Sequence, residues 1–477
     1  MRSNSQPAPD VVGIIDIGKT HARFMLAHAE RGIIDSHQCE VPRGPAAALV
    51  QQLDVRGVES WLADVIRNHP WRDRIGTLLP IAHGAAGVLI DERARVLIAP
   101  DYEDSRYEDL RDCYRGLRDP FELTYSPFLP FGLNLGRQLY YLESRAPQLM
   151  ARARRLLLYP QYWAWRLSGV AASEFTSLGC HSDLWRPLER RPSNLAVERG
   201  WSHLLPALRP AWDCLGSVSA EWASVTGLDS RCRVLCGLHD SSASFLSHLA
   251  ARAGRPFSLV SSGTWTIVMA CAGRLERVRE DQDMLLNVDI DGAPVATARF
   301  MGGREYEVVA GETGMQALPT REDLAMLLSR GTFALPSFSA AGGPFATVPG
   351  RLIGATHLTA GERATLATLY VALMTDYVLD ALDAPGDLIV DGPLSRNALY
   401  GQILAQLRPQ NSVYLAPRAA RAAAALASCL SRSGCLSRSG PVADQPYARA
   451  PAAGDLKGLE EYRVAWMERL EVAHRRP

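Results

Sequence analysis

Apolar and polar positions change period several times along this chain, and the changes mark its elements. Residues 11–24, VVGIIDIGKTHARF, open as an apolar β-branched run of strand type that ends in Asp16 and a glycine turn at Gly18. Residues 58–68 carry the 3.6-residue spacing of a helix, and residues 75–81 read as a strand running into His83, Gly84 and Ala85. Residues 156–167, with Tyr159, Tyr162, Trp163 and Trp165, look like a helix packed by aromatics. Residues 234–245, VLCGLHDSSASF, read as a strand followed by the small-residue start of a helix, and residues 257–269, FSLVSSGTWTIVM, as strand, hydroxyl-bearing Gly turn and strand. FMGGREYE at 300–307 and SAAGGPF at 339–345 read as Gly-bearing loops. Residues 361–382 predict a long helix, residues 388–390 a strand, Asp391, Gly392 and Pro393 a turn, and a further helix starts near Asn397. The Ala-rich run 415–430 predicts a helix, LSRSG occurs twice at 430–434 and 436–440 in a low-complexity segment, and residues 456–475 predict a charged amphipathic helix.

Chemistry gathers at the strand ends. Asp16, Lys19, Thr20 and Arg23 share one tip beside Gly18, where a tight turn lets backbone N–H groups face a ligand. A carboxylate, two cations and a hydroxyl suit a metal-bound polyphosphate: Asp16 for water-mediated Mg²⁺, Lys19 and Arg23 for phosphate oxygens. An ordinary hairpin with a solvated charged turn fits the same stretch. His83 can bind a substrate hydroxyl, although a lone His after a strand is more often a satisfied structural residue. The segment PDYEDSRYEDL at 100–110 pairs carboxylates with phenols, as a polyhydroxy ligand requires, with Tyr102 and Asp104 as candidates; a solvated acidic loop is the other reading. His181 and Asp183 lie in a polar, turn-rich run at 174–185 assigned to the same rim. Asp240, behind His239 at a strand-to-helix junction, can reach a substrate hydroxyl as a base, or can cap the helix. Ser261, Ser262, Gly263 and Thr264 repeat the logic of the first turn without added charge, which points to an internal duplication. Gly392 and Asn397 frame a turn that would seat a nucleoside on a helix N-terminus.

Composition narrows the class of partner. With 51 basic and 51 acidic residues the formal charge is zero, so nothing global favours nucleic acid or an anionic membrane, and a small molecule is the default partner. The 477 residues suit two large domains. Nine scattered cysteines with no CxxC pair read as reduced thiols in a cytoplasmic protein. The N-terminal stretch lacks an apolar signal core and no run of 18 apolar residues occurs, so neither export nor membrane spanning is expected. A homodimer is compatible with all of this.

In the order DIGKT, GLHDSSAS, VSSGTWT and IVDGPLSRN the motifs resemble those of the FGGY family of carbohydrate kinases over about residues 11–430. The resemblance implies an α/β fold with two ribonuclease-H-like domains, the duplication of the actin and hexokinase type, closing around a central cleft over ATP and a sugar. It implies an N-terminal domain at 11–245 for sugar and phosphate, a C-terminal domain at 246–455 for the nucleotide, and a C-terminal helix at 456–477. DIGKTHAR is similar to the first phosphate motif (Gly18, Lys19, Thr20, Arg23, with Asp16 toward the metal), and SSGTWT to the second (Ser262, Gly263, Thr264). VDGPLSRN is similar to the adenosine motif (Gly392, Asn397), and PDYEDSR to the sugar-contacting stretch of rhamnulose kinases. The acid of GLHDSSAS is similar to the catalytic base, which advances Asp240 over the capping reading. The expected activity is ATP- and Mg²⁺-dependent phosphorylation of a terminal hydroxyl of a ketose or related small sugar or polyol, with His83, Tyr102, Asp104, His239 and Asp240 on the sugar. Two departures bear on the nucleotide: Pro393 stands where the family usually has a second Gly, and residues 420–427 read ARAAAALA where a Gly is usual. They favour weakened selection of the base, and they support an alternative, a sugar- or nucleotide-binding pseudokinase used as a sensor. No GxGxxG follows a strand, which disfavours a nicotinamide oxidoreductase, and no helix-turn-helix extension suggests a transcriptional regulator.

Overall fold

The structure, a computed structural model, describes residues 11–28, 31–42, 44, 49–252, 255–339, 342–416, 448–450 and 455–474. The chain separates into two compact units. One holds the described residues up to Ala251 together with Leu286–Pro294; the other holds Arg252–Leu285, the described residues from Val295 to Ala416, and those from Ala448 onward. The sequence-drawn boundary at 245/246 falls inside the helix Asp240–Arg252.

Each unit is built on a mixed sheet. In the first the order is Cys214–Ser217, Arg233–Leu235, Ile75–Ala82, Val11–Ile17, His21–His28, Gly32–Glu40, with Leu238–His239 also paired to Ile75–Ala82. The last three strands in that order are antiparallel neighbours, while Ile75–Ala82 runs parallel to Val11–Ile17. In the second the order is Met284–Val288, Pro294–Phe300, Thr266–Ala270, Phe257–Ser262, Asp387–Asp391, Val413–Ala416, Ala448–Arg449. Phe257–Ser262 is antiparallel to Thr266–Ala270, which is antiparallel to Pro294–Phe300, and Asp387–Asp391 lies parallel to Phe257–Ser262. An antiparallel hairpin with a third strand on one side and parallel strands on the other is thus built twice. This is the topology of the two-domain actin and hexokinase type.

Burial follows the predicted periods. The helix Val55–Asn68 is capped by Asp54, whose carboxylate accepts from the Gly57 amide at 2.9 Å, and it buries Val58, Leu62 and Ile66 on one stripe against the first sheet. Each of these is fully buried, which stabilises by about 1.5–3 kcal/mol per side chain. In the second unit the helix Ala360–Ala381 begins with a reciprocal capping box between Thr359 and Glu362 and is buried along most of its length. The C-terminal helix Leu459–His474 belongs to this unit: Arg463 donates to Asp376 at 2.6 Å, and the Trp466 indole donates to the Ala334 carbonyl at 2.8 Å.

Three stretches differ from the sequence reading. Residues 156–158 belong to the strand Arg155–Leu158, paired with Gly87–Ile90; the helix starts at Tyr159, because Pro160 suits a first helical turn. FMGGREYE is a strand end and the start of the helix Gly302–Gly314, and its glycines serve packing. A Cβ at Gly303 would stand 2.1 Å from the Gly263 carbonyl oxygen, and one at Gly302 2.1 Å from Thr266 Oγ1. Leu415 and Ala416 close the strand Val413–Ala416, and the rest of the Ala-rich run and both LSRSG copies lie outside the described residues.

Candidate active site

The predicted residues fall into two groups, one in each unit. In the first unit, strand order places the ends of Val11–Ile17, Ile75–Ala82 and Leu238–His239 side by side. The Gly18 turn is closed by the Gly18 N–H donating to the His21 carbonyl at 2.9 Å. Asp16 faces Arg23 across the hairpin, with Arg23 Nη1 3.9 Å from Asp16 Oδ2. Thr20 Oγ1 lies 3.0 Å from His21 Nδ1. Lys19 turns to the 100–104 loop: its ammonium is bonded to Asp101, lies 3.4 Å from Glu103, and sits 4.8 Å over the Tyr102 ring. The Gly18 turn and the 100–104 loop are therefore tied by an ion pair, and Asp101, which the sequence reading passed over, is its acceptor.

Tyr102 packs edge-on to His83, with ring centroids 5.7 Å apart, and the tilted rings of His83 and Tyr159 have centroids 4.9 Å apart. Burial lowers the His83 pKa, against the opposing pull of Gly84 and Asp240, so the ring is neutral near pH 7. Its Nδ1–H donates to the Gly84 carbonyl at 2.8 Å, which leaves Nε2 as a bare acceptor. Asp104 is engaged within its own loop: its carboxylate accepts from the Gln51 amide at 2.5 Å and from the Arg106 amide and side chain at 2.9 Å. Burial pushes its pKa up, but the Arg106 and backbone bonds outweigh this and hold it below the ordinary value. Its oxygens brace the loop before any ligand arrives. His181 and Asp183 are likewise satisfied internally: His181 Nδ1–H donates to the Leu133 carbonyl at 2.8 Å, and Asp183 accepts from Tyr114 at 2.6 Å and Arg118 at 2.9 Å.

Asp240 is the first residue of its helix. Oδ1 accepts from the Ser241 amide at 2.6 Å and lies 3.1 Å from His239 Nε2, while Oδ2 has no hydrogen-bond partner among the described residues. The side chain is 38% exposed. His239 is buried, lies with Nε2 3.5 Å from Cys180 Sγ, and has no partner at Nδ1. Its backbone N–H donates to Thr176 Oγ1 at 2.9 Å, and the Thr176 hydroxyl donates to Glu174 at 2.6 Å. No sequence signal pointed to Glu174 or Thr176 as supports of this junction, since the contact spans 63 residues.

Glu174 is wholly buried, and burial pushes its pKa up to about 7 against the bonds from Thr176 and Ser177. The unfolded chain releases this proton near the ordinary value of 4.5, whereas the native chain keeps it to about 7. Between those limits the native state binds more protons, so stability falls as pH rises. Wild type is expected to lose about 3 kcal/mol relative to Glu174→Gln between pH 4.5 and pH 8 in denaturant unfolding. Parallel curves for the two proteins would refute a protonated Glu174.

The second unit holds a cavity of about 720 Å³ whose wall includes Ser262, Gly263, Thr264, Gly303, Pro393 and Asn397. The hairpin of Phe257–Ser262 and Thr266–Ala270 and the Gly392 turn meet there: the Ser262 hydroxyl donates to the Asp391 carbonyl at 2.5 Å and accepts from the Leu394 amide at 3.0 Å. Gly392 has φ +85° and ψ −158°, a conformation that L side chains avoid. Asn397 caps the helix Ala398–Leu407 by accepting from the Tyr400 amide at 3.0 Å, and its amide donates to Thr368 at 2.9 Å. Met315, Leu318 and Pro319 give the cavity an apolar side. Residues 420–427 lie outside the described residues. A larger cavity in the first unit, of about 1090 Å³ and bordered by Tyr162, Trp165 and Trp222, has none of the predicted site residues in its wall.

A family model for the carbohydrate kinase FGGY C-terminal domain matches residues 254–438. Among solved structures, a carbohydrate kinase from Novosphingobium aromaticivorans is 32% identical and superposes with a TM-score of 0.86, over 98% of this chain and 100% of that one. Xylulose kinase from Rhodospirillum rubrum (18% identical, TM-score 0.79, 97% of this chain and 99% of that one) and Plasmodium falciparum glycerol kinase with ADP (11%, 0.78, 98% and 99%) share the fold. Fold likeness alone leaves activity open, but identity of 32% along nearly the whole of both chains does not, and the chain belongs to the FGGY family of carbohydrate kinases.

Proposed function

We propose that this carbohydrate kinase transfers the γ-phosphoryl group of ATP to a terminal hydroxyl of a ketose or related small sugar or polyol, with Asp240 as general base. The observation that carries the reading is the asymmetry of Asp240: Oδ1 accepts from the Ser241 amide and hydroxyl, and Oδ2 of this partly exposed carboxylate has no hydrogen-bond partner among the described residues. A base so held presents one oxygen in a defined direction, which is what abstraction of a hydroxyl proton requires.

The sugar is bound in the first unit by groups of opposite hydrogen-bonding sense. His83 Nε2 is a bare acceptor for a hydroxyl proton, the Tyr102 phenol donates, His239 stands beside Asp240 at the same strand end, and Asp104 keeps the loop in shape. Burial and the neighbouring carboxylates push the Tyr102 pKa well up, so it remains a donor through the physiological range. On the phosphate side Gly18, Thr20 and Arg23 serve the first turn, Lys19 shares itself between that turn and Asp101, and Ser262, Gly263 and Thr264 form the second turn. The cavity beside Gly392 and Asn397 suits a nucleoside in size and in its apolar side. Asp16, a partly exposed carboxylate at the turn, fits a water-bridged magnesium ion, which when bound neutralises charge on the phosphates. Asp240 takes the hydroxyl proton, and the turns hold the phosphate oxygens in line.

The test is a coupled ADP-release assay over ketoses, aldoses and polyols with ATP and Mg²⁺. Turnover is expected with at least one ketose or polyol, and omission of Mg²⁺ is expected to abolish it. Release confined to aldoses would overturn the substrate class, and no sugar-stimulated release with any acceptor would favour the sensor reading.

A further inference from the structure

We infer that Asp101 and Glu103 set the charge of the sugar pocket: by neutralising Lys19 they leave the pocket net negative, so it takes uncharged polyhydroxy ligands and rejects sugar acids. The inference rests on the proposed sugar site in the first unit. It goes beyond that reading in excluding a charge class and in giving Asp101 and Glu103 a role.

Lys19 is a cation set on the proposed sugar contacts. Its ammonium stands 4.8 Å from the centre of the Tyr102 ring, and Tyr102 packs edge-on to His83. A free ammonium there would hold the carboxylate of a sugar acid. It is not free: Asp101 accepts from it, and the Glu103 carboxylate lies 3.4 Å away. The side chains of Lys19 and Asp101 are only 22% and 14% exposed, so water screens that pair poorly, whereas Glu103 at 61% stands largely in solvent. Asp101 also shapes the loop, since its Oδ1 accepts from the Glu103 amide at 3.0 Å while it accepts from Lys19.

The charges do not balance. Asp101, Glu103 and Asp240 supply three negative charges against the one positive charge of Lys19, a net of −2. The fields of Lys19, Asp101 and Asp240 reach His83, and those of Glu103, Asp101 and Asp240 reach Tyr102. Burial keeps His83 neutral and the Tyr102 phenol protonated, so neither offsets the balance. Other charged groups of this unit are matched in pairs: Arg23 with Asp16, Arg106 with Asp104, and Arg118 with Asp183. A hydroxyl entering the pocket meets acceptors for its proton. A carboxylate meets its own sign of charge and an ammonium whose attraction is already shared.

The experiment is calorimetric titration of the nucleotide-free protein at low ionic strength. The neutral ligand is the polyol or ketose of the panel above that binds tightest, starting with xylitol, and the charged one is the aldonate of the same chain length, starting with D-xylonate. Wild type is expected to bind the neutral ligand at least about tenfold more tightly. Asp101→Asn keeps a carbonyl oxygen for the Glu103 amide and removes one negative charge, so the gap is expected to narrow about five- to tenfold. Lys19→Met is expected to widen the gap, and the double variant to return it to the wild-type value. That order follows net charge, and a merely structural loss would not produce it. Glu103→Gln leaves the Asp101 side chain in place and is expected to narrow the gap less, because Glu103 is the more exposed; it carries the test if Asp101→Asn no longer binds the neutral ligand. Equal or tighter binding of the aldonate by wild type, or a gap that neither Asp101→Asn nor Glu103→Gln moves, overturns the inference and leaves the proposed sugar site standing. If no polyol or ketose binds wild type, the sugar site falls and the inference with it.

Discussion

Replacing Asp240 by asparagine is expected to lower kcat by about 10² to 10⁴ while both substrates continue to bind. The geometry makes this a clean substitution. An asparagine carbonyl at the position of Oδ1 still accepts from the Ser241 amide at 2.6 Å, so the helix start keeps its bond. Its amide nitrogen then occupies the position of Oδ2, which has no partner among the described residues to lose. An amide cannot take up a hydroxyl proton, so the loss falls on the chemical step and appears in kcat. Calorimetric Kd values for nucleotide and sugar are expected to stay within about threefold of wild type. The capping reading predicts the opposite, because asparagine caps as well as aspartate does. The bond that Asp240 makes to an amide goes to its immediate neighbour Ser241, not to the second or third amide of the turn. Retention of more than about one tenth of kcat in a folded Asn variant would end the assignment.

The second large effect is expected at Gly392, where alanine should cost about 2–6 kcal/mol of stability and weaken nucleotide binding about ten- to hundredfold. Two causes add. The backbone at φ +85° and ψ −158° is strained for any L residue, and the new methyl group would lie 2.0 Å from the Ser262 carbonyl oxygen. Something must move, and what moves is the hairpin that carries Ser262, since Ser262 is bonded to Asp391 and Leu394 on both sides of Gly392. Gly331→Ala provides the comparison. Its φ is also positive, at +63°, but the nearest atom to an added Cβ is 3.6 Å away on Phe333, so it carries strain without the clash. Urea unfolding and nucleotide titration of the two variants separate the terms. Equal losses in both would mean that the contact with Ser262 contributes nothing.

Much of the fold was legible because the apolar period changes where the elements change. Strand Val11–Ile17, helix Val55–Asn68 and helix Ala360–Ala381 were each visible within a few residues of their ends, since each buries a face that its own sequence spaces correctly. The Gly-Gly of 302–303 misled for a physical reason. Glycine in sequence signals a turn, but here its missing side chain allows a helix start to approach the hairpin at Gly263 and Thr266 within 2.1 Å of where a Cβ would be. Asp104 was equally ambiguous: a carboxylate in a polar loop signals a ligand, and only the position of Arg106 and the Gln51 amide reveals that its oxygens are already used.

By itself, then, the sequence determined the elements, the repeated strand–turn–strand motif and the residue types at each tip, because these depend on local period and on short-range backbone freedom. Tertiary structure decided which of those residues meet. Lys19 finds Asp101 across 82 positions, and Cys180 reaches His239 across 59. The surroundings of the Asp240 carboxylate and the raised pKa of Glu174 are likewise products of neighbours brought together by the fold. Hydrogen-bond sense and desolvation belong to a three-dimensional environment, and no local pattern along a chain encodes them.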